Sequence, residues 1–517
     1  MAEATRLDGL VAEAARTRSD RTAIEAGERS LDFAGLEQRV DAVAAALDAL
    51  LPEPGAAVAV ASVLDPDFAV AYYASVRAGH VTAVVNPLLR EEGLLHVLAL
   101  CEARAAFVDA GLLARLHPLL DRLPHLAHVF VIGPAAEGAV PGVQSLAGLV
   151  ERYAGRRDSG PRPAPDLDDV ACVQFTSGTT GLPKGVRLTH RNLTANAAQI
   201  AEAHLLDGAS VTVNHLPTYH PMHLNSAVHA GATQVLCPAP DPVDAVHTAN
   251  RAGASHLYSL PVRLARLAAT APDGLRLTSV RHIASGGSPL PVAAARALTE
   301  RFGVPVFQGY GLAETSPLTH SDDPGAPVHG SVGRPVRGTE CRIVDTETRA
   351  VLPVGASGEV QLRGPQVMKG YLGRPDGSGT DADGWFTTGD VGRIDASGRL
   401  FVVDRLRDVF KCDNFLVAPS EIEQVLARHP LVRETVVLGL PDEAHGAVAA
   451  ALVVLADGAP EPDLAVKQLR AYVEEHLPYY QHLHHVQPVP AIERSANGKI
   501  QRRVLAEELA ARVRRAS

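Results

Sequence analysis

The feature that most constrains this chain is the alternation of short β-branched runs with Ala/Leu-rich helical patterns. AVAVASVL (57–64) is followed by a helix-like DFAVAYYASVRAG (67–79) and then by VTAVVN (81–86). Strand-length apolar segments separated by crossover helices build α/β layers. No repeat with a period of about 20 to 50 residues is visible, which sets aside solenoids and propellers. At 517 residues and 46% hydrophobic content the chain exceeds one ordinary core, so at least two domains are expected.

Charge narrows the partners. The net charge is -10 with 21% charged residues and no basic block, which argues against a nucleic-acid footprint and for small molecules. Cys101, Cys172, Cys237, Cys341 and Cys412 lie far apart without a CxxC pair, so neither a zinc cluster nor a disulfide framework is suggested, and a reducing cytoplasm fits. The opening MAEATRLDGLVAEAARTRSD lacks the apolar centre of a signal peptide. The longest apolar run, Ala447 to Ala456, falls short of the roughly 18 residues a membrane span needs. Only five of the 48 basic residues are lysines, a bias that fits a GC-rich bacterial genome. Lys184, Lys369, Lys411 and Lys499 sit in Gly-rich or turn-rich stretches, where a compact ammonium has a use that arginine does not serve.

Pro/Gly-rich breaks at 133–142, 159–165 and 374–384 read as surface loops. The pattern changes after VGRIDASGRLFVVDRLRD. A helix opening at Ser420 with Glu423 placed for a capping box, strands near 435–440 and 447–455, a helix near 464–477 and a last helix after Asn497-Gly498 make one small unit. The expected division is an N-terminal domain over 1–404, a hinge at 405–408 and a C-terminal domain over 409–517.

The run VQFTSGTTGLPKGVRLTH (173–190) starts as a strand and passes through Thr176, Ser177, Gly178, Thr179, Thr180 and Gly181. It reaches Pro183-Lys184-Gly185 before a second strand. Hydroxyls and unhindered backbone N–H groups can surround several phosphate oxygens, glycines allow close approach, and Lys184 offers a point charge to a polyphosphate. The spacing is not GxxxxGK[ST], so a kinase or GTPase P-loop fits poorly. TSGTTGLPKGV resembles the signature of the adenylate-forming superfamily of acyl-CoA synthetases, peptide-synthetase adenylation domains and luciferases. The resemblance runs from about Asn86 to Arg503 and is greatest to the AMP-forming acyl-CoA ligases. It implies a large multi-sheet α/β domain followed by a small, mobile α+β domain.

Further segments resemble that superfamily's other elements, in the same order. Ser285-Gly286-Gly287-Ser288-Pro289 resembles the loop beside adenine and the acyl pocket. Gln308-Gly309-Tyr310-Gly311-Leu312-Ala313-Glu314-Thr315 resembles the YGxTE element. The resemblance implies that Tyr310 stacks on adenine, Thr315 meets the α-phosphate and Glu314 holds Mg2+, a hard cation suited to a carboxylate. Gly389-Asp390 matches the TGD element, with Asp390 expected on the ribose hydroxyls and Arg405 on ribose or phosphate. The terminal loop Arg494 to Ile500 carries Lys499, expected to offset charge as a carboxylate attacks the α-phosphate. Lys184, Glu314, Thr315 and Lys499 are thus the expected catalytic set.

A carboxylate is a weak nucleophile and water a poor leaving group, so coupling an acid to a thiol needs activation, which a mixed anhydride with AMP supplies. Catalysis is then positioning plus charge neutralisation. The resemblance implies ATP, Mg2+ and coenzyme A, and a rotation near Arg407 that brings the loop of Lys411, Asp413, Asn414 and Phe415 to the pantetheine tunnel. The family has a glycine where Asn414 stands, which points to one weakened half-reaction and to a partner enzyme that supplies or uses an acyl-adenylate. Tyr219, His220, Asn225, Gly286, Gly309 and Leu312 are the expected acyl-pocket wall. The stretch from His220 to Gly231 is shorter than the family's by about one helical turn, and the aspartate that pairs with an amino-acid ammonium is missing. A bulky, largely apolar acid of secondary metabolism is the expected substrate. The histidines at 215, 220, 223 and 229 lack a ligand set for a metal. Rival expectations are an acyl-AMP ligase that loads a carrier protein and a noncatalytic ligand or nucleotide binder.

Overall fold

A computed structural model describes residues 5–62, 65–133, 143–156, 166–176, 183–216, 220–413, 415–494 and 500–516. Their packing gives two compact units. The first comprises Met1–Cys341, Leu362–Thr387 and Gly398–Leu400, and the second Arg342–Gln361, Thr388–Ser397 and Phe401–Ser517. The grouping is not a single cut in the chain near 404–408, because segments from 342 onward already belong to the second unit.

Two sheets build the first unit. A nine-stranded sheet sets Thr22–Ala26, Thr233–Leu236, Val211–His215, His256–Ser259, His282–Ser285 and Val306–Gly311 side by side in parallel. Antiparallel strands close its edges, Arg29–Asp32 at one and Leu318–Ser321 with Arg334–Pro335 at the other. The eight-stranded sheet joins Val170–Thr176 in parallel to Val81–Val84 and on through Ala57–Ala61 to Ala105–Asp109 and His128–Ile132. On its other side Lys184–Thr189 and then Gly370–Tyr371 add in antiparallel fashion. Alternation in the sequence therefore does become parallel strands with helical crossovers.

The helix Pro66–Arg77 shows why this core closes. Asp65 caps it by accepting from the Asp67 N–H, and Pro66 fills the first turn where no hydrogen bond is lost. Apart from half-buried Arg77 every one of its residues is buried, as expected of a helix that is apolar on all sides. It packs against Phe33–Leu50, whose cap is Asp32.

The second unit holds most of a four-stranded sheet of Glu340–Val344, Gly358–Arg363, Phe386–Ile394 and Leu400–Arg405, whose strand ends at 340–341, 362–363, 386–387 and 400 are grouped with the first. It also holds a five-stranded sheet ordered Phe415–Val417, Phe410–Cys412, Gly446–Leu455 and Val432–Asp442, with Leu483–Pro488 parallel to Gly446–Leu455. Alternate residues of Val432–Asp442 face two cores. Val437 packs with Ile422 and Leu469, whereas Val436 and Leu438 pack with Leu505 and Leu509. The helices Pro419–Leu426, Pro462–His476 and Arg502–Ala516 fall where the pattern placed them. The capping box does not form. Ala418 is the cap position, while Glu423 accepts from Val437 N–H at 2.7 Å and pairs with Arg502, so a half-buried ion pair claims the carboxylate. Among the described residues no helix is long and apolar enough to cross a membrane.

Candidate active site

In an open parallel sheet, ligands collect beyond the carboxyl ends of the strands. The motif residues lie there. Ser285 ends one strand of the nine-stranded sheet, and Gly309 to Gly311 end its neighbour. Gln308 Oε1 accepts from Leu290 N–H at 2.7 Å, which ties the 286–289 loop to that neighbouring strand. Gly287 has φ +89 with open space beside it, and a Cβ at Gly286 would make only ordinary contact with Gly309 O at 3.8 Å, so neither glycine is crowded by the neighbouring strand. A Cβ at Gly311 would collide with the Pro317 carbonyl, so only glycine fits that turn.

The phosphate hairpin rises from the other sheet. Thr176 pairs with Lys184 in antiparallel register, which sets the two ends of the motif side by side. Ser177, Gly178, Thr179, Thr180 and Gly181 lie outside the described residues, as do Tyr219, Asn414 and Lys499. His96 Nε2 meets Pro183 O at 3.0 Å and anchors the hairpin's returning end. Lys184 Nζ then stands 5.4 Å from the centre of the Tyr371 ring, and Tyr371 Oη donates to Glu314 Oε1 at 3.0 Å. Burial, followed by the Glu314 carboxylate, raises the Tyr371 pKa, so the phenol stays protonated as a donor. A cation, an aromatic ring and a carboxylate are thereby aligned. The carboxylate's remaining oxygen suits a hard cation.

Thr315 does not belong to this surface. It is fully buried, and its hydroxyl is spent on the Leu312 backbone at 3.1 Å and on the Pro317 carbonyl, which closes the short Ala313–Thr315 turn. In the YGxTE pattern the threonine precedes the glutamate. That position is Ala313 here, so the assignment of an α-phosphate contact to Thr315 is corrected. Asn225 is likewise spent inside the core, its amide bonded to Tyr73 Oη at 2.9 Å and Tyr72 Oη at 3.2 Å rather than forming a pocket wall. His220 lines a small cavity of about 20 Å³ with Asn214 and Gln234, and burial pushes its imidazole down to about 4. Leu312 packs against the central core cluster, and Tyr310 lies 6.0 Å from the His320 ring.

Behind the strand ends is a group that the sequence reading missed. His223 stacks on Tyr258 at 4.0 Å, Tyr258 Oη meets His204 Nδ1 at 3.1 Å, and His256 Nε2 meets His204 O at 2.9 Å. Burial pulls all three imidazoles down, His223 to about 3 and His256 to about 4, so they are neutral. His204 Nε2, His223 Nδ1, His220 Nδ1 and Ser285 Oγ are buried with no hydrogen-bond partner, and such groups cost free energy until something polar reaches them. His204, His256 and Tyr258 carried no local motif, and Tyr371 is nearly two hundred residues from Lys184.

In the second unit Arg405 Nε meets Asp390 Oδ1 at 2.9 Å, and Asp390 is buried, its backbone N–H held by Thr388 Oγ1 at 3.0 Å. Leu406 N–H bonds Gly389 O at 2.8 Å. Arg407 is exposed beside Asp408. Of the other motif lysines, Lys369 donates to Asp168 O at 3.0 Å and Lys411 pairs with Glu347. Phe415 is exposed and stacks on Tyr480 at 4.5 Å.

A model of the AMP-binding enzyme family matches residues 11–372, and one of the AMP-binding enzyme C-terminal domain matches 421–499. The chain is 32% identical over 526 residues to 4-coumarate--CoA ligase 5 of Oryza sativa subsp. japonica, covering 98% of this chain and 95% of that one. Among solved structures, the anthranilate CoA ligase AuaEII in complex with anthranoyl-AMP is similar with a TM-score of 0.87 and 26% identity over 99% of each chain. The amide bond synthetase McbA from Marinactinospora thermotolerans follows with a TM-score of 0.83 and 26% identity, covering 97% of this chain and 99% of that chain.

Proposed function

The chain belongs to the AMP-binding enzyme family, and we propose that the aligned Lys184, Tyr371 and Glu314 are the part of it that governs adenylate formation. It is an AMP-forming acid-thiol ligase, which couples a carboxylic acid to coenzyme A at the expense of ATP. The observation that carries the proposal is the Tyr371 hydroxyl on Glu314 Oε1, with Lys184 over the same ring. Tyr371 fixes the carboxylate so that its other oxygen faces a cation, and Lys184 adds positive charge at the end of the phosphate hairpin. Mg2+, when bound, neutralises charge on the departing pyrophosphate. Asp390, oriented by Arg405, holds the ribose, and Lys499 offsets charge on the α-phosphate during attack.

For the acid we propose an aromatic carboxylate bearing a hydrogen-bonding substituent, in place of a purely apolar one. Two things support it. The names of similar proteins include 4-coumarate and anthranilate ligases, and the His223 and Tyr258 rings stack beside imidazole edges that lack partners. A role in bacterial secondary metabolism in the cytoplasm is part of the same proposal, supported by the arginine bias and five free cysteines. Asn414 in the tunnel loop supports the weakening of one of the two half-reactions, and with it a partner that supplies or uses an acyl-adenylate.

Mass spectrometry of reactions with Mg2+, ATP, an acid panel and coenzyme A, each omitted in turn, tests the whole. Thioester from a hydroxylated or aminated aryl acid is expected. Preference for straight-chain acids overturns the substrate assignment, and product only with an added amine or carrier protein overturns the acceptor. Asn414→Gly should change the rate of one half-reaction, and an unchanged rate in both sinks the idea of a weakened step.

A further inference from the structure

In the second unit the hairpin of strands Phe410–Cys412 and Phe415–Val417 meets the turn between strands Val432–Asp442 and Gly446–Leu455. Cys412 pairs with Gly446 across that junction. Next along the chain, Asp413 takes φ +47, an uncommon backbone for a non-glycine residue. It is held there from two directions, its N–H bonded to His445 O at 3.0 Å and its Oδ1 to His445 Nδ1 at 2.9 Å. The turn is fixed in its own right, because Asp442 Oδ1 accepts from the N–H groups of Ala444 and His445, each at 2.9 Å. As a result a thiol, a carboxylate and an imidazole stand together, one ligand atom of each within 4.8 Å of the others. No other set of three such ligands gathers among the described residues.

We propose that Cys412, Asp413 and His445 form a binding site for a soft to borderline divalent cation of the zinc class. The donor set decides the class. Thiolate and imidazole favour zinc or cobalt over magnesium or calcium, which prefer oxygen alone. Tetrahedral ligands at normal bond lengths stand about 3.4 Å apart, so donors within 4.8 Å of one another need to close by at most about 1.4 Å. Entry is available, since the side chains of Asp413 and His445 are 31% and 40% exposed while Cys412 forms the buried floor. The His484 ring, centred 5.5 Å from that of His445, is the nearest fourth imidazole, with water the alternative. The metal replaces the thiol proton, so one proton is released for each ion taken up at a pH where the His445 imidazole is already neutral, and two where it is protonated. Bound metal staples the hairpin to the turn. On the reading of this hairpin as the pantetheine loop, it alters the thioester step and not adenylate formation.

The test uses the full chain, freed of metal with a chelator and titrated with Co2+. One equivalent should bind and give a near-ultraviolet thiolate-to-cobalt charge-transfer band, which Zn2+ then bleaches. Cys412→Ser should abolish the band, and His445→Gln should weaken binding by at least about tenfold. The four other cysteines serve as internal controls. A band that survives Cys412→Ser, or no band at one equivalent, overturns the site and leaves an Asp413–His445 hydrogen-bonded clasp. If Cys412→Ser does not fold, His445→Gln decides, because its side chain is partly exposed, and undiminished cobalt affinity in that variant overturns the proposal. The readout is spectroscopic, so it stands whether or not the thioester assignment holds.

Discussion

The same side chain serves opposite purposes in the two units. His204, His223 and His256 of the first unit are buried, and burial is the main cause that keeps them neutral. His445 of the second unit is partly exposed and bonded to Asp413, which raises its basicity. The contrast teaches that an imidazole's charge is set by solvent and neighbour rather than by residue type. The buried imidazoles of the first unit stay neutral, whereas His445 of the second is set to take up a proton as pH falls.

The largest expected effect separates the two units by reaction step. Lys184→Ala should slow pyrophosphate release by about 10²- to 10³-fold, measured with a coupled assay, while thioester formation from a synthetic acyl-adenylate is retained. Equal loss in both steps would break the division. Next comes acid stability. The folded pKa values of His223 (about 3) and His256 (about 4) lie below the unfolded value, so their contribution is complete above about 6.5 and is lost as pH falls from there. Each group should cost about 1.4 kcal/mol per pH unit over that range. Trp385, the single tryptophan and a residue of the first unit, reports denaturation by fluorescence. His223→Phe should flatten the slope by one proton's share, and an unchanged slope contradicts the burial argument.

A smaller effect is expected from Tyr371→Phe. Losing a hydrogen bond to a carboxylate should weaken apparent Mg-ATP affinity roughly tenfold, about 1.5 kcal/mol, with kcat little changed. A fall in kcat alone would assign the phenol another role. Smallest is His445→Gln, read by hydrogen exchange in the hairpin of the metal-free protein. The raised folded pKa means the clasp stabilises below about 6.5 and is lost as pH rises through the folded value, so the variant should differ near pH 6 and match near pH 9. The reverse order would make the two histidine environments alike.

Local patterns were legible and long-range ones were not. The alternating runs gave parallel strands because period and length are written in consecutive residues, and the hydroxyl-glycine-lysine run gave the hairpin for the same reason. Tyr371 was hidden because a two-residue strand pairing, Gly370 with Arg187 and Tyr371 with Val186, brings it beside Glu314. Thr315 was misread by position within a correct motif, and Asn225 because nothing local says that two tyrosine hydroxyls will claim its amide. Glu423 had the spacing of a capping box, yet the half-buried Arg502 outcompeted a helix end for it. Cysteine spacing showed no metal site because His445 reaches Cys412 only through strand pairing.

Lysine is scarce in this chain, and two of the five are already engaged, Lys369 with Asp168 O and Lys411 with Glu347. An acyl-adenylate is an acylating agent, and amines are its natural targets, whereas a guanidinium stays protonated and does not attack. A catalyst that generates such an electrophile while carrying its surface charge on arginine has few groups for its own intermediate to modify, which protects it from self-inactivation over many turnovers.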